Sequence, residues 1–304
     1  MSENFIKNLP PTFVRNVLDL CGGLGEKWFS DLPQTIEELS RNWHFKTDKP
    51  FDNLSYNYVA PCKFSDGKEA VLKLALPLNN PEIFSEEKYL GMQNGKGAVK
   101  ILNFDKNRRA MLLEKLKPGK HLKEIFSGNE SETVEIAINL MKKLHRKPPE
   151  SSEFILLEKW FENFFSGAEN SEFSDYYLNK TKEIFYELSK SSQKFLLHGD
   201  LHHENILSAE REPFLIIDPK GLIGEISYEI AVFLNNHLWW LSPKKNCEEK
   251  LDYAVRQFSE AFNISQTDLK KWAFAQIVLS AWWTFEDGGG NWQRELGFAE
   301  FWKV

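Results

Sequence analysis

The chain changes its hydrophobic period once, at Lys117-Pro118-Gly119, and that change limits its possible folds more than any other feature. Before it, short apolar runs bounded by turn residues read as strands. Ser55 to Pro61 and Ala70 to Ala75 flank Asp66-Gly67, a hairpin signal. Val99 to Phe104 and Ala110 to Leu113 flank a turn carrying Asp105 and Asn107. Between the two pairs, Pro81 to Gln93 reads as a helix that Gly95 ends. Two further short helices, 12–21 and 33–43, precede the strands, with Pro33 in a first helical turn. After Gly119 the period is helical: Val134, Ala137, Ile138, Met141 and Leu144 share a face, ended by Pro148-Pro149. Phe154 to Phe165, Tyr176 to Leu188, Tyr228 to Trp240 and Glu248 to Trp283 also read as helical. Only Phe195 to Leu197 and Phe214 to Ile217 read as strands there. The expectation is an α+β protein with a small sheet-rich N-terminal lobe, a larger helical C-terminal lobe and a cleft at the connector.

Bulk properties exclude several classes. A chain of 304 residues is long enough for two lobes, and a net charge of -6 argues against a general nucleic-acid binder. Cys21, Cys62 and Cys247 are far apart and form no C-x-x-C pair, so neither a disulfide framework nor a zinc site is expected. A reducing, cytoplasmic setting is the simplest reading. Met1 to Phe13 has no apolar core of the signal-peptide kind. The richest apolar stretch, Trp272 to Phe285, is interrupted by Gln276 and is shorter than the ~18 residues a membrane span needs. It reads as a buried helix, and neither a membrane nor a nucleic-acid partner is expected.

The chemistry concentrates in His198-Gly199-Asp200-Leu201-His202-His203-Glu204-Asn205 and in the apolar strand Phe214 to Ile217 that ends at Asp218. An Asp, an Asn five residues later and a second Asp after the next strand suit phosphoryl transfer from a nucleotide. Asp200 would take the proton of an attacking hydroxyl, while Asn205 and Asp218 would hold a magnesium ion. His198 would orient the loop by hydrogen bonds rather than titrate. The same order recurs in protein kinases as H-R-D-x-x-x-x-N followed by D-F-G. Gly199-Asp200-Leu201-His202 also echoes the G-D-x-H of metallophosphoesterases, which need further His and Asp clusters elsewhere. A nucleotide-binding module without turnover is a third reading.

Lys73 lies within the apolar run Ala70 to Leu74, where burial is costly unless the charge is paired. It either reaches nucleotide phosphates and pairs with Glu86 or Glu87, of which Glu86 is favoured, or faces water from an edge strand. Met111 to Gly119 suits an adenine-binding hinge in which the Glu114 carbonyl and the Leu116 amide pair with the base edge. Asn53 to Asn57 occupies the place of a phosphate loop but contains no glycine. There Ser55 would contact phosphate through its hydroxyl, with a plain strand lead-in as the alternative. No G-x-x-x-x-G-K-[ST] occurs, which disfavours the P-loop class.

These stretches, together with Trp28 to Pro33, Trp43, Gly95 to Val99 and Ile217 to Gly221, resemble the aminoglycoside phosphotransferase family within the bilobal protein-kinase-like fold. More narrowly, the chain is similar to the aminoglycoside/hydroxyurea antibiotic resistance kinases, the streptomycin-kinase-like branch, from residue 24 to about residue 287. The resemblance implies ATP and magnesium (Mg2+) as cofactors and transfer of the γ-phosphate to a hydroxyl of a small molecule. It implies Asp200 as catalytic base, Asn205 and Asp218 as metal ligands and Lys73 as phosphate ligand. It also implies a nucleotide-binding lobe with a helical N-terminal extension over 1–113, a hinge over 114–119 and a catalytic and substrate-binding lobe over 120–304. Two positions depart from the family pattern: Glu204 stands where a small residue is common, and Glu229 where Asp is common. Ten positions separate Asp218 from Tyr228, too few for a phosphorylated activation segment, so protein substrates are not expected. Aminoglycosides are polycations, so Glu286 and Asp287 are candidate substrate carboxylates, with a solvated helix end before Gly288-Gly289-Gly290 as their alternative. Trp239 and Trp240 are candidate stacking walls, with helix core as their alternative.

Overall fold

The computed structural model describes residues 5–78, 82–126, 128–150, 154–169, 171–191 and 193–304. It divides into two compact units, Met1–Gly119 and Lys120–Val304.

The first unit opens with helices α1 (Pro11–Cys21) and α2 (Gly23–Trp43). Strands β1 (Phe45–Thr47), β2 (Tyr58–Phe64) and β3 (Glu69–Leu74) follow, then helix α3 (Ile83–Gln93), then β4 (Ile101–Asp105) and β5 (Ala110–Glu114). The strands form one antiparallel sheet in the order β1-β2-β3-β5-β4. Alternation along the strands decides what each face does. Tyr58, Ala60 and Cys62 of β2, Ala70, Leu72 and Leu74 of β3, and Ala110 and Leu112 of β5 all point into one core. Phe13 and Val17 of α1 and Phe29, Leu32 and Leu39 of α2 cover that core. The intervening positions, including Lys73 between its register partners Val59 and Met111, belong to the other face. The β2–β3 turn forms at Asp66-Gly67, where Gly67 has φ 86° and the Lys68 amide bonds to Asp66 Oδ1 at 3.0 Å.

Two expectations for this unit are corrected. Pro33 lies inside the 21-residue α2 rather than in a first turn. Phe29, Leu32 and Leu39 bury one stripe across it, and that burial outweighs the hydrogen bond a proline cannot donate. The helix expected from Pro81 begins at Ile83, and Pro81 itself lies outside the described residues.

Strand β6 (Pro118–His121) crosses the division, and the second unit continues with α4 (Leu122–Ile125), α5 (Glu130–Leu144), β7 (Ile155–Leu156), α6 (Leu157–Ala168) and α7 (Asp175–Leu188). Next come β8 (Phe195–Leu197), β9 (Ile206–Ala209), β10 (Phe214–Ile216) and β11 (Leu222–Gly224). Helices α8 (Ile226–Leu241), α9 (Cys247–Phe262), α10 (Gln266–Glu286) and α11 (Trp292–Ala299) complete the unit. The strands make two three-stranded sheets, β10-β9-β6 and β7-β11-β8. β6, β7, β9 and β11 correct the expectation of only two strands here. Each has two to four residues, too short for a period-two pattern to register. Residues 155–156, expected as helix, form β7 and pair with β11.

The apolar run Trp272 to Phe285 lies in α10, which packs against α7, α8, α9 and α11 and is buried on all sides from Trp272 to Leu279. Among the described residues, no helix is long and apolar enough to cross a membrane. Aromatic rings fill this core. Phe161 stacks on Phe185 at 4.6 Å between centroids and meets the edges of Tyr228 at 6.2 Å and Trp272 at 5.9 Å. Phe161→Ala therefore opens a cavity at the centre of the unit. It is expected to cost about 3–5 kcal/mol in denaturant unfolding, and a loss under about 1 kcal/mol would contradict this packing role.

Candidate active site

The catalytic run is built around the backbone of His198. β8 delivers this residue, wholly buried, to the end of the strand. Its amide and that of Gly199 donate to the two carboxylate oxygens of Glu229, each at 2.8 Å. Its carbonyl accepts from the amides of Lys220 at 2.8 Å and Gly221 at 3.2 Å. Its ring faces the Asp200 amide through Nδ1 at 3.2 Å and the Ile217 carbonyl through Nε2 at 2.9 Å. A donor on one side and an acceptor on the other fix the neutral tautomer with the proton on Nε2. Burial agrees, pushing the ring's pKa below its ordinary value against the fields of Glu229 and Asp200. One residue thus clips together the loop that carries Asp200, the loop that carries Asp218 and helix α8. Gly199 is required here: it has φ 83°, and a Cβ on it would stand 3.2 Å from the Cβ atoms of both Lys220 and Leu222.

Asp200 follows with 37% of its side chain exposed. Desolvation pushes its carboxyl above the usual range. His202, Lys220 and His198 pull it back, and Asp218 pushes it further up. A carboxylate with raised basicity is a better proton acceptor. Asn205 donates through Nδ2 to the Asp200 carbonyl at 2.9 Å, with His202 Nε2 3.2 Å away, which turns Oδ1 the other way. Its own carbonyl accepts from the Ile217 amide at 3.0 Å, which sets Asn205 across from the residue before Asp218. Asp218 is exposed and holds a left-handed conformation, φ 60°, that side chains other than glycine seldom adopt. Asp200, Asn205 and Asp218 are therefore gathered by the ladder β9–β10 and the His198 clip. Oxygen donors from Asn205 and Asp218 suit a hard cation that takes few protein ligands and completes its shell with water and phosphate. Among the described residues, no group of three or more His, Cys, Asp or Glu is placed to hold a metal, as a metallophosphoesterase centre requires.

In the first unit, Lys73 lies on an inner strand, not at an edge, and its Nζ is 2.6 Å from Glu86 Oε2. Both are buried, with 6% and 2% of their surfaces exposed, so each charge depends on the other. Glu86, in the first turn of α3, is the partner rather than Glu87. The Ser55 carbonyl accepts from Asn16 Nδ2 of α1 at 3.1 Å, and the adjacent Leu54 is buried in the core. Glu114 closes β5: its amide donates to the Lys100 carbonyl and its Oε1 accepts from the Lys100 amide, both at 2.9 Å. Leu116 follows, half-buried, and its carbonyl crowds the place a Cβ on Gly119 would take.

The four substrate candidates fall in different settings. Glu286 helps line a cavity of about 430 Å³ in the second unit, with Trp160, Asn163, Phe164, Trp282 and Trp283. Trp160 and Trp283 stand at 90°, 5.2 Å between centroids. Asp287 caps α10, its amide bonded to the Trp283 carbonyl at 3.0 Å, and does not line the cavity. Neither do Trp239 and Trp240. Trp239 packs on Phe298 at 4.2 Å with Arg294 over its ring. Trp240 meets His203 at 4.9 Å and carries Lys244 over its ring.

Glu229 and Trp160 are the residues that motif reading did not assign to the site. Glu229 was visible as a departure from the family pattern, but nothing in the sequence said what it holds. Burial alone would raise its pKa, and His145 together with the Gly199 amide lowers it instead, so the clamp stays ionised. Glu204, the other departure, is 60% exposed and lies 3.5 Å from Lys123.

The α+β architecture is similar to that of choline kinase LicA from Streptococcus pneumoniae, at a TM-score of 0.65, 16% identity, and coverage of 90% of this chain and 98% of that one. It is a protein-kinase-like fold. The model of the family described as aminoglycoside/hydroxyurea antibiotic resistance kinase matches residues 42–288, and the chain belongs to that family. Similar relatives are a streptomycin 6-kinase from Streptomyces glaucescens, 25% identical over 95% of this chain and 94% of its own length, and a hydroxyurea phosphotransferase from Kitasatospora aureofaciens, 26% identical over 97% and 86%.

The clamp predicts that Glu229→Gln loses about 1–3 kcal/mol in urea unfolding, because the amide turns a donor toward a backbone N–H. Equal stability would contradict the anchoring role. A second prediction concerns pH. His203 Nε2 lies 3.1 Å from His237 Nδ1, and both rings are buried. Burial lowers both pKa values, that of His237 to about 4. Lys244 faces both rings, His202 and Lys123 face His203, and Glu130 and Lys250 face His237. The stability from keeping these rings neutral is complete above about pH 6.5 and is lost as pH falls toward 4, His237 alone accounting for about 3 kcal/mol. Thermal unfolding between pH 7 and 4 should show a steeper acid decline in the parent than in His237→Asn. Parallel curves would remove His237 as a cause.

Proposed function

We propose that this chain is an ATP-dependent phosphotransferase that transfers the γ-phosphoryl group of ATP to a hydroxyl of a small polar acceptor of the aminoglycoside type. The observation that carries the reading is the His198 clip, which gathers Asp200, Asn205 and Asp218 on loops held by hydrogen bonds of 2.8–3.2 Å. Family membership and the kinase names of the relatives support it.

In this reading Asp200 accepts the proton of the acceptor hydroxyl as its oxygen attacks the γ-phosphorus, and burial makes that carboxylate more basic. Asn205 Oδ1 and the Asp218 carboxylate would hold Mg2+, which would neutralise phosphate charge when bound. Lys73, kept in place by Glu86, binds nucleotide phosphates, and Ser55 adds a hydroxyl to them. The Glu114 carbonyl and Leu116 amide receive the base. Glu286 and Trp160, on the cavity of the second unit, contact a cationic acceptor. The thiols of Cys21, Cys62 and Cys247 are free, which suits a reducing compartment such as the cytoplasm.

The test is a mass-spectrometric screen for the gain of one phosphate across aminoglycosides, hydroxyurea, amino alcohols and sugars, with ATP and magnesium present. Asp200→Asn is expected to lower transfer by about 10²- to 10⁴-fold while retaining nucleotide affinity in calorimetric titration. Parent-like turnover in that variant would remove Asp200 as the base. Nucleotide binding with no phosphorylated product on any acceptor would favour an idle binding module.

A further inference from the structure

We propose that Lys220 is a catalytic residue whose ammonium binds the phosphoryl group as it passes from nucleotide to acceptor. The inference rests on the kinase reading above and assigns a residue that reading leaves unused.

The position is fixed on two sides. The Lys220 amide donates to the His198 carbonyl at 2.8 Å, beside that of Gly221 at 3.2 Å, so the residue is held to the catalytic loop and not only to its own. Its Cβ lies against Gly199, where an added Cβ would stand 3.2 Å from it. The absent side chain at 199 is what lets a lysine at 220 lie against the residue before Asp200.

The chemistry needs such a group. The ligand trio of the second unit offers two carboxylates and a neutral amide to a strongly anionic nucleotide. Lys73 already has its charge balanced by Glu86 at 2.6 Å. Residues 53–57 contain no glycine, so the sequence encodes no nest of backbone amides for phosphate there. Asp218-Pro219-Lys220-Gly221 places a cation two residues after a metal ligand, on a loop tied to the one that carries the base. A preorganised cation aimed at the transferring group is the kind of interaction that counts most in phosphoryl transfer. In the step itself the acceptor oxygen bonds to the γ-phosphorus and its proton passes to Asp200. The bond from the γ-phosphorus to the bridging oxygen breaks, and its electron pair leaves on ADP. Lys220 stays an ammonium throughout.

The experiment compares parent, Lys220→Met and Lys220→Arg, using an acceptor the parent phosphorylates, with calorimetric titration of ADP and a thermal midpoint for each protein. The expected result is a kcat lower by about 100-fold in Lys220→Met, partly recovered in Lys220→Arg, with ADP affinity and midpoint unchanged. Turnover of Lys220→Met equal to the parent's overturns the role of Lys220 and leaves the kinase reading standing. So does a loss of ADP affinity as large as the loss of kcat, because the contact would then be to the nucleotide in general. A parent that phosphorylates no acceptor overturns the kinase reading and this inference with it.

Discussion

The chemistry of this chain depends on where the backbone of one buried histidine sends its hydrogen bonds. His198 has no access to water, so each of its polar groups must find a protein partner. Its amide, together with that of Gly199, meets Glu229, its carbonyl meets the Lys220–Gly221 turn, and its ring bridges the Asp200 amide and the Ile217 carbonyl. Satisfying one residue fixes three segments that are distant in sequence. Asp200, Asn205 and Asp218 are all placed as a consequence.

The first unit solves a different problem with the same economy. A lysine in the middle of an inner strand has no route to solvent, and alternation turns it away from the apolar core formed by Ala70, Leu72 and Leu74. A carboxylate from α3 must meet it there. Removing either Lys73 or Glu86 takes from a buried charge its partner at 2.6 Å. The helices before the sheet take the opposite face, and Asn16 of α1 also ties down the Ser55 carbonyl, in the loop expected to meet phosphate. The N-terminal extension is thus part of the sheet's core rather than an appendage.

Elements with a long period were legible and short ones were not. α5 follows from apolar residues at helical spacing, α8 and α10 from long apolar, Trp-rich runs, and the β2–β3 hairpin from Asp66-Gly67. β7 and β11 have two and three residues, and their pairing is decided by neighbours far along the chain. Pro33 misplaced a helix boundary because local propensity was weighed without the burial of Phe29, Leu32 and Leu39 on either side of it. At the candidate site, Asp200, Asn205 and Asp218 were singled out by spacing and residue type. Glu229 and Trp160 were not assigned, because an acidic residue in a helix and a tryptophan in an aromatic-rich one carry no motif.

The amino-acid sequence by itself determined the order of the longer elements, the α+β class, the family and the three polar groups of the candidate site, because these depend on local period, turn chemistry and spacing within a few residues. The tertiary structure alone decided that Glu86 meets Lys73, that Glu229 clamps the backbone of His198 and that Glu286 shares a cavity with Trp160 and Trp283. Those pairings join residues from 13 to more than 100 positions apart. Which of many carboxylates meets a given donor depends on packing and desolvation across the whole unit, and no local pattern records it.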